Sequence, residues 1–335
     1  MERSDQPYIL PEVELSQAQV TPELTAFQQE GDLTLSRVLL HSLLFLITAV
    51  STTVTGAALW VATEVGGTSI ISPIVDAFVS TVRGDFDPLI NGLLFTFTLL
   101  SILAAHEFGH YFACRYYGVR ATLPFFIPAP PFLTPFGTFG AVIKIKDHIK
   151  SRRALFDIGI AGPLAGFALA VPASVIGLWM AKPAPPIDFA AGGGYVFQDP
   201  PLFQLLNQLL GVPPLITWNP VYWAAWAALL VTALNLFPVG QLDGGHVVFA
   251  AAGRRIHKWV SAATAAGVGV LAVLSFIWHQ SPIWFLWTGV LLFLLKVGHP
   301  PVVEGEPLGR GRVLLTITAL VVFLLCFLPF PIIIT

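Results

Sequence analysis

Long apolar runs alternate along the chain with short polar or proline-rich segments, and a membrane-spanning helix needs about 20 mostly apolar residues. Runs that fit lie near 38–62, 88–112, 154–180, 221–250, 259–278, 283–297 and 313–334, which predicts seven crossings. The run at 283–297 is short, and those at 154–180 and 221–250 contain Pro or Gly, so one of these can be re-entrant. The expected fold class is an all-α polytopic membrane protein with about six to seven transmembrane helices. Between the second and third runs the pattern changes. Pro124, Pro128, Pro130, Pro131 and Pro135 exclude a regular helix there. The alternation of Ile143 and Ile145 with Lys144 and Lys146 predicts a short strand entered through Gly137 and Gly140, and with it a short membrane-associated β-hairpin. The Gly- and Pro-rich stretch 181–219 reads as a loose extramembrane connection, too short for a folded domain of typical size.

Composition agrees with lipid as the main solvent. Hydrophobic residues make up 55% of the chain and charged ones 11%, against roughly 25% charged in soluble domains; the mean hydropathy is +0.77. With 17 basic and 19 acidic residues the net charge is -2, which offers no field to attract nucleic acid. Short cytoplasmic loops are enriched in Lys and Arg. With a cytoplasmic amino terminus and seven crossings, 15 of the 17 basic residues fall on the cytoplasmic side, leaving Arg83 and Lys182 opposite. Residues 1–36 carry seven acids and have no basic segment leading a short apolar core. That excludes a secretory signal or an Arg-rich transit peptide and predicts a flexible acidic tail. Cys114 and Cys326 both sit in or beside apolar runs and suggest packing, not a disulfide framework. The expected organisation is therefore the tail (1–36), a first transmembrane helix with its connecting loop (37–87), a membrane core (88–250) and C-terminal transmembrane helices (251–335).

Ionisable groups at bilayer depth are costly, so those inside apolar runs are functional candidates. Glu107, Asp157 and Asp243 qualify. Glu107 lies in 106-HEFGH-110. Two histidines four apart stand about 40° from each other around a helix and one turn along it, so His106 and His110 can reach one metal ion, with Glu107 beside them as a general base. The alternative, ordinary buried polar residues, leaves two imidazoles and a carboxylate poorly compensated in lipid. A catalytic zinc usually has three protein ligands. Cys114 is about 12 Å from His106 along the helix axis and is better read as a small packing residue. Asp243 is the better third ligand. It follows Pro220 by 23 residues as His106 follows Pro88 by 18, so at helical rise both lie about 27–35 Å from their starts and share a depth. Pro238, Gly240, Gly244 and Gly245 should interrupt the helix around it, and irregular backbone at that depth requires protein cover or water. Asp157 is expected to pair with Arg152 and Arg153 at a helix entrance. His246, three residues after Asp243, can orient its carboxylate; no role is read for His41, His148, His257, His279 or His299.

The helix carrying His106, Glu107 and His110, followed by Asn235, Pro238, Asp243 and Gly244 in 235-NLFPVGQLDGGHVVFA-250, resembles the site-2 protease family of intramembrane zinc metalloproteases. The resemblance extends over roughly 88–250, including the Gly-rich 159-GIAGPLAGFALA-170 and the hairpin ending at Lys146, and is most similar to cyanobacterial and plastid members. It implies one Zn2+ per chain held by His106, His110 and Asp243, Glu107 as general base, and Asn235 positioning substrate or stabilising the intermediate. Pro238, Gly244 and His246 then support the ligands from behind. Many bacterial relatives insert a PDZ domain that 181–219 cannot hold. The expected reaction is hydrolysis of peptide bonds in membrane-spanning protein substrates, such as single-span regulators. An unwound peptide would add as a strand to the edge formed by Gly140, Ile143 and Ile145. The expected location is a bacterial cell membrane, cyanobacterial included, or a thylakoid. A membrane metal transporter would distribute its ligands along a path, and a catalytically silent scaffold need not keep both ligands and the base; these are the two alternative readings.

Overall fold

The computed structural model describes residues 34–65, 71–183, 195–213, 216–217, 219–300, 302 and 308–334. The chain divides into a unit of Met1–Val38 and one of Leu39–Thr335. The expected acidic tail falls almost wholly outside the described residues, as does the glycine run at 192–194.

The described chain is mostly helical. Its elements are α1 (Leu35–Val65), α2 (Ser72–Val82), α3 (Asp87–Tyr116), β1 (Phe125–Pro128), β2 (Thr138–Val142), α4 (Arg152–Trp179), β3 (Lys182–Pro183), β4 (Tyr195–Phe197), α5 (Pro201–Leu210), β5 (Ile216–Thr217), α6 (Pro220–Asn235), α7 (Asp243–His279), α8 (Ile283–Val297), α9 (Arg310–Cys326) and β6 (Ile332–Ile334). Among the described residues, four helices are long and apolar enough to cross a membrane: Leu35–Thr63, Asp87–Tyr116, Arg152–Trp179 and Asp243–His279. Side chains such as Phe97, Phe112, Trp179 and Leu286 point outward from these and neighbouring helices, as lipid-facing residues should.

Three predicted segments differ from what forms. The run 221–250 is not one helix: α6 stops at Asn235, residues 236–242 are irregular, and α7 starts at Asp243. At 1.5 Å per residue α6 is about 24 Å long, short of the ~30 Å hydrocarbon core. Gly240 takes a left-handed φ of 56° in this break, whereas Gly244 and Gly245 belong to the first turn of α7. The helix breaks again at Gly253, whose φ of 80° and ψ of 171° are non-helical. Within the last run, 313–334, α9 ends at Cys326, and Pro329 and Pro331 precede β6, which pairs antiparallel with β4. Nor is 181–219 wholly loose, since it contributes β3, β4, α5 and β5.

The helix apolar on all sides is α6, and such a helix belongs in a core. Every residue from Pro220 to Leu230 is buried. Asn219 caps it, its side chain accepting from the Tyr222 amide at 3.0 Å, and Pro220 opens its first turn. Gly177 of α4 allows the backbones to meet: a Cβ there would stand 2.7 Å from Tyr222 Cα. Ser151 caps α4 in the same manner, accepting from Ala154 N at 3.1 Å.

The hairpin pairs β1 with β2 antiparallel, Phe125 opposite Val142 and Phe126 opposite Ala141. It leans on α1, where His41 Nδ1–H donates to Pro124 O at 3.0 Å and Phe45 meets Phe126 edge-on. Thr52 and Thr53 of α1 in turn hydrogen-bond Thr96 of α3 at 3.0 and 2.9 Å. A forked contact of Arg120 on Asp147 closes the hairpin base, and the guanidinium holds that carboxyl below the usual range.

Candidate metal centre

His106, Glu107 and His110 lie ten residues or fewer from the end of α3, so an uninterrupted helix fixes their relative placement as the spacing requires. All three are buried. Asp243 reaches them from the first turn of α7. Its Oδ2 is 3.2 Å from His106 Nε2, its Oδ1 3.3 Å from His110 Nε2, and the two imidazole nitrogens are 3.1 Å apart. One ligand atom from each of the three residues lies within 4.8 Å of the others. Tetrahedral zinc with bonds of about 2.0–2.1 Å separates its ligand atoms by about 3.3 Å; the two imidazole nitrogens stand near that spacing, and each meets a different oxygen of Asp243. The donor set fits the ion.

The protein behind the ligands holds the free electron pairs inward. His110 Nδ1–H donates to Ile158 O at 2.7 Å, which leaves Nε2 as the donor atom, the usual arrangement behind a ligating histidine. The break at 236–242 aims Asp243. Gly244 makes it possible, because a Cβ there would stand 2.0 Å from Leu236 O, and a Cβ at Gly245 would stand 2.6 Å from Gly240 O. Pro238 O accepts from Ser261 Oγ at 2.8 Å, tying the break to the second half of α7. Asn235, the last residue of α6, brings Nδ2 to 3.3 Å from His106 Nε2.

Sequence reasoning passed over the contribution of α4. Gly162 faces the His110 ring so closely that a Cβ would stand 2.1 Å from Nε2, and a Cβ at Gly166 would lie 3.2 Å from His106 Cβ. On the other side of the contact, a Cβ at Gly109 would stand 2.6 Å from Ala161 O. The signal was present as glycines at 159, 162 and 166, small-residue spacing that lets helix backbones approach. Two further expectations change. Asp157 pairs with Arg312, at 2.8 and 2.6 Å, and not with Arg152 or Arg153; Tyr117 OH also donates to Asp157. Arg152 instead donates to Ala250 O at 2.9 and 2.6 Å, taking a carbonyl left over where α7 breaks. His246 turns Nδ1 to His299 at 2.8 Å, not to the Asp243 carboxylate. Cys114 is fully buried with Val119, Ala154 and Ile158, as a packing residue should be.

The hairpin reaches the centre through its backbone. β2 ends at Val142, earlier than predicted, but pairing continues: Lys144 exchanges hydrogen bonds with Thr122, and Lys146 N–H donates to Arg120 O. The backbone groups of Ile143 and Ile145 therefore face the opposite edge, and the backbone of Ile143 lies beside the Glu107 carboxylate. The Ile143 and Ile145 side chains pack against the cluster around Cys114. Gly140 lies in β2 with a left-handed φ of 98° and open space beside it.

Residues 94–277 match the model of peptidase family M50; the chain belongs to that family. Similar proteins include the probable chloroplastic zinc metalloprotease EGY2 of Arabidopsis thaliana, 31% identical over 77% of this chain and 46% of that protein. The probable chloroplastic zinc metalloprotease EGY1 of the same plant is 30% identical over 72% and 44%. The chain thus spans about half the length of the curated relatives it matches. Among solved structures, the site-2 protease from Methanocaldococcus jannaschii shares 16% identity, with 71% of this chain and 89% of that chain covered and a TM-score of 0.33.

Proposed function

We propose that the protein is an intramembrane zinc metalloprotease that hydrolyses peptide bonds of membrane-spanning protein substrates. The observation that carries this reading is the meeting of His106, His110 and Asp243 at 3.1–3.3 Å, beside Glu107, in helices long and apolar enough to span. His106 Nε2, His110 Nε2 and one Asp243 oxygen would hold the ion, the carboxylate removing one of its two positive charges. The chemistry zinc supplies in such a set is Lewis-acid polarisation of the scissile carbonyl and acidification of water. Glu107 accepts the proton of the attacking water on a carboxylate oxygen and returns it to the departing amine nitrogen. The Ile143 amide, beside that carboxylate, is placed to donate to it and orient it. Asn235 Nδ2, aimed at the same centre, is a donor for the carbonyl oxygen as negative charge develops there.

Peptide carbonyls in a substrate helix are occupied by helical hydrogen bonds, so a segment must unwind before attack. The outward backbone of Ile143 and Ile145 offers an unwound segment a strand partner next to Glu107. Ile143→Pro removes the amide that both functions use; cleavage should fall while bound zinc stays near one per chain, and unchanged turnover would exclude the hairpin from substrate handling.

The central test compares the purified wild type with Glu107→Gln, His110→Ala and Asp243→Ala, measuring metal content and cleavage of a single-span test protein. Glu107→Gln should keep its zinc and lose cleavage, whereas the other two should lose zinc. Full activity in Glu107→Gln would defeat the assignment, and transport of zinc without cleavage would favour the transporter reading.

A further inference from the structure

Three histidines outside the proposed zinc set meet although they are far apart in sequence. His246 stands one turn after Asp243 on α7, His257 lies just past the Gly253 break, and His299 follows α8. The His246 and His299 rings stand edge to face with centroids 4.9 Å apart and Nδ1 and Nε2 separated by 2.8 Å. His299 is held on both sides, stacked on Phe249 at 4.0 Å and edge-on to His257 at 5.4 Å. Its Nδ1–H donates to Pro300 O at 2.7 Å, so Nε2 carries the lone pair and accepts the Nδ1–H of His246. This is the same carbonyl-fixed tautomer that readies His110 for a metal.

We propose that His246 Nδ1 and His299 Nε2 form a second, weaker site for a divalent transition ion such as Zn2+, from which the ion passes to the centre at Asp243. An ion bridging the two needs nitrogens about 3.3 Å apart, so the rings must part by about 0.5 Å while His246 changes tautomer, Nδ1 giving its proton to solvent and Nε2 taking one up, so that a neutral imidazole meets the ion. Imidazoles select zinc, copper or nickel over magnesium and calcium, and two ligands hold an ion less firmly than three. His257 is a flank and not a ligand, since it is engaged with Ser261 Oγ at 3.4 Å. The route inward is short. His246 Cβ and Asp243 O both face Gly159 of α4, where an added Cβ would stand 2.8 and 3.4 Å from them. The transfer role, though not the binding itself, rests on the zinc reading given above.

The test uses the full chain in detergent micelles, stripped with a chelator and titrated with Co2+. The wild type should bind one ion tightly and a second weakly. His246→Gln, His299→Gln and His299→Phe, the last keeping the stack on Phe249, should lose the weak ion and retain the tight one, whose retention also reports a folded centre. Stopped-flow filling of the tight site should slow in these variants by about tenfold or more, the scale on which supporting partners change metal binding, with the same final occupancy. A single ion in the wild type, a weak ion that survives all three substitutions, or unchanged filling rates would overturn the proposal. A weak ion without a tight one would overturn the zinc reading and the transfer role together and leave the outer site standing.

Discussion

Gly162 is the residue on which the centre leans without supplying a donor atom. Its missing side chain is the space occupied by the His110 ring, since a Cβ would stand 2.1 Å from Nε2. Neither partner can retreat easily: Gly109 on the same turn of α3 abuts Ala161 O, and a Cβ there would approach it to 2.6 Å. Ala raises helix propensity over Gly by about 1 kcal/mol, so Gly162→Ala should leave α4 helical and displace the imidazole. We expect metal content and cleavage to fall together by at least about tenfold, with helical circular dichroism unchanged; a variant with full zinc would show that the ring can move aside. Asn235 and the Gly244 that follows Asp243 were legible in the motif for what they are. The reason for Gly244 was not, because the carbonyl it avoids, Leu236 O, is brought there by the break between helices.

At the scale of elements, α9 is fastened to the centre by one ion pair. Arg312 clasps Asp157, and its Nη2 also donates to Tyr117 OH at 3.1 Å, which joins the ends of α3, α4 and α9. Asp157 immediately precedes Ile158, whose carbonyl fixes the His110 tautomer. Hydrogen bonds to charged groups contribute about 1.5–3 kcal/mol, so Arg312→Met should lower thermal stability by that order. Zinc should also leave the protein faster, because the Ile158 carbonyl loses part of its anchor. A melting temperature unchanged from wild type would show the pair to be dispensable. Sequence spacing favoured Arg152 and Arg153 as partners of Asp157 because they are close along the chain. The true partner lies 155 residues away, and no local periodicity reports such a distance. The hairpin was readable in its second strand through the alternation at 143–146; β1 was not, since Pro124 and Pro128 mask it and only pairing with Val142 and Ala141 makes it a strand.

For the molecule as a whole, lipid-facing and protein-facing surfaces sort by helix. The buried α6 is surrounded by helices whose outer faces carry large apolar side chains, so a multi-pass membrane protein results from ordinary burial with the bilayer as the outer solvent. We propose that the amino terminus is cytoplasmic, on the distribution of Lys and Arg. Single cysteines introduced at His148 and Arg255, in a background lacking Cys114 and Cys326, should then be labelled by a membrane-impermeant maleimide from the cytoplasmic side, and one at Gly84 from the other. Labelling of all three from one side would overturn this topology.

The sequence alone determined the membrane class, the helix that carries His106, Glu107 and His110, and the pairing of that helix with a later Asp-Gly motif. These follow from local rules: hydrophobic length against bilayer thickness, and 3.6 residues per turn acting within one segment. Tertiary structure alone decided that Asp243 begins a helix, that glycines of α4 make room for the imidazoles, that Asp157 answers Arg312, and that His246 meets His299. Each of these depends on which backbones come close across tens or hundreds of residues, and close approach is set by packing of whole helices against α6, a quantity that no window of neighbouring residues contains.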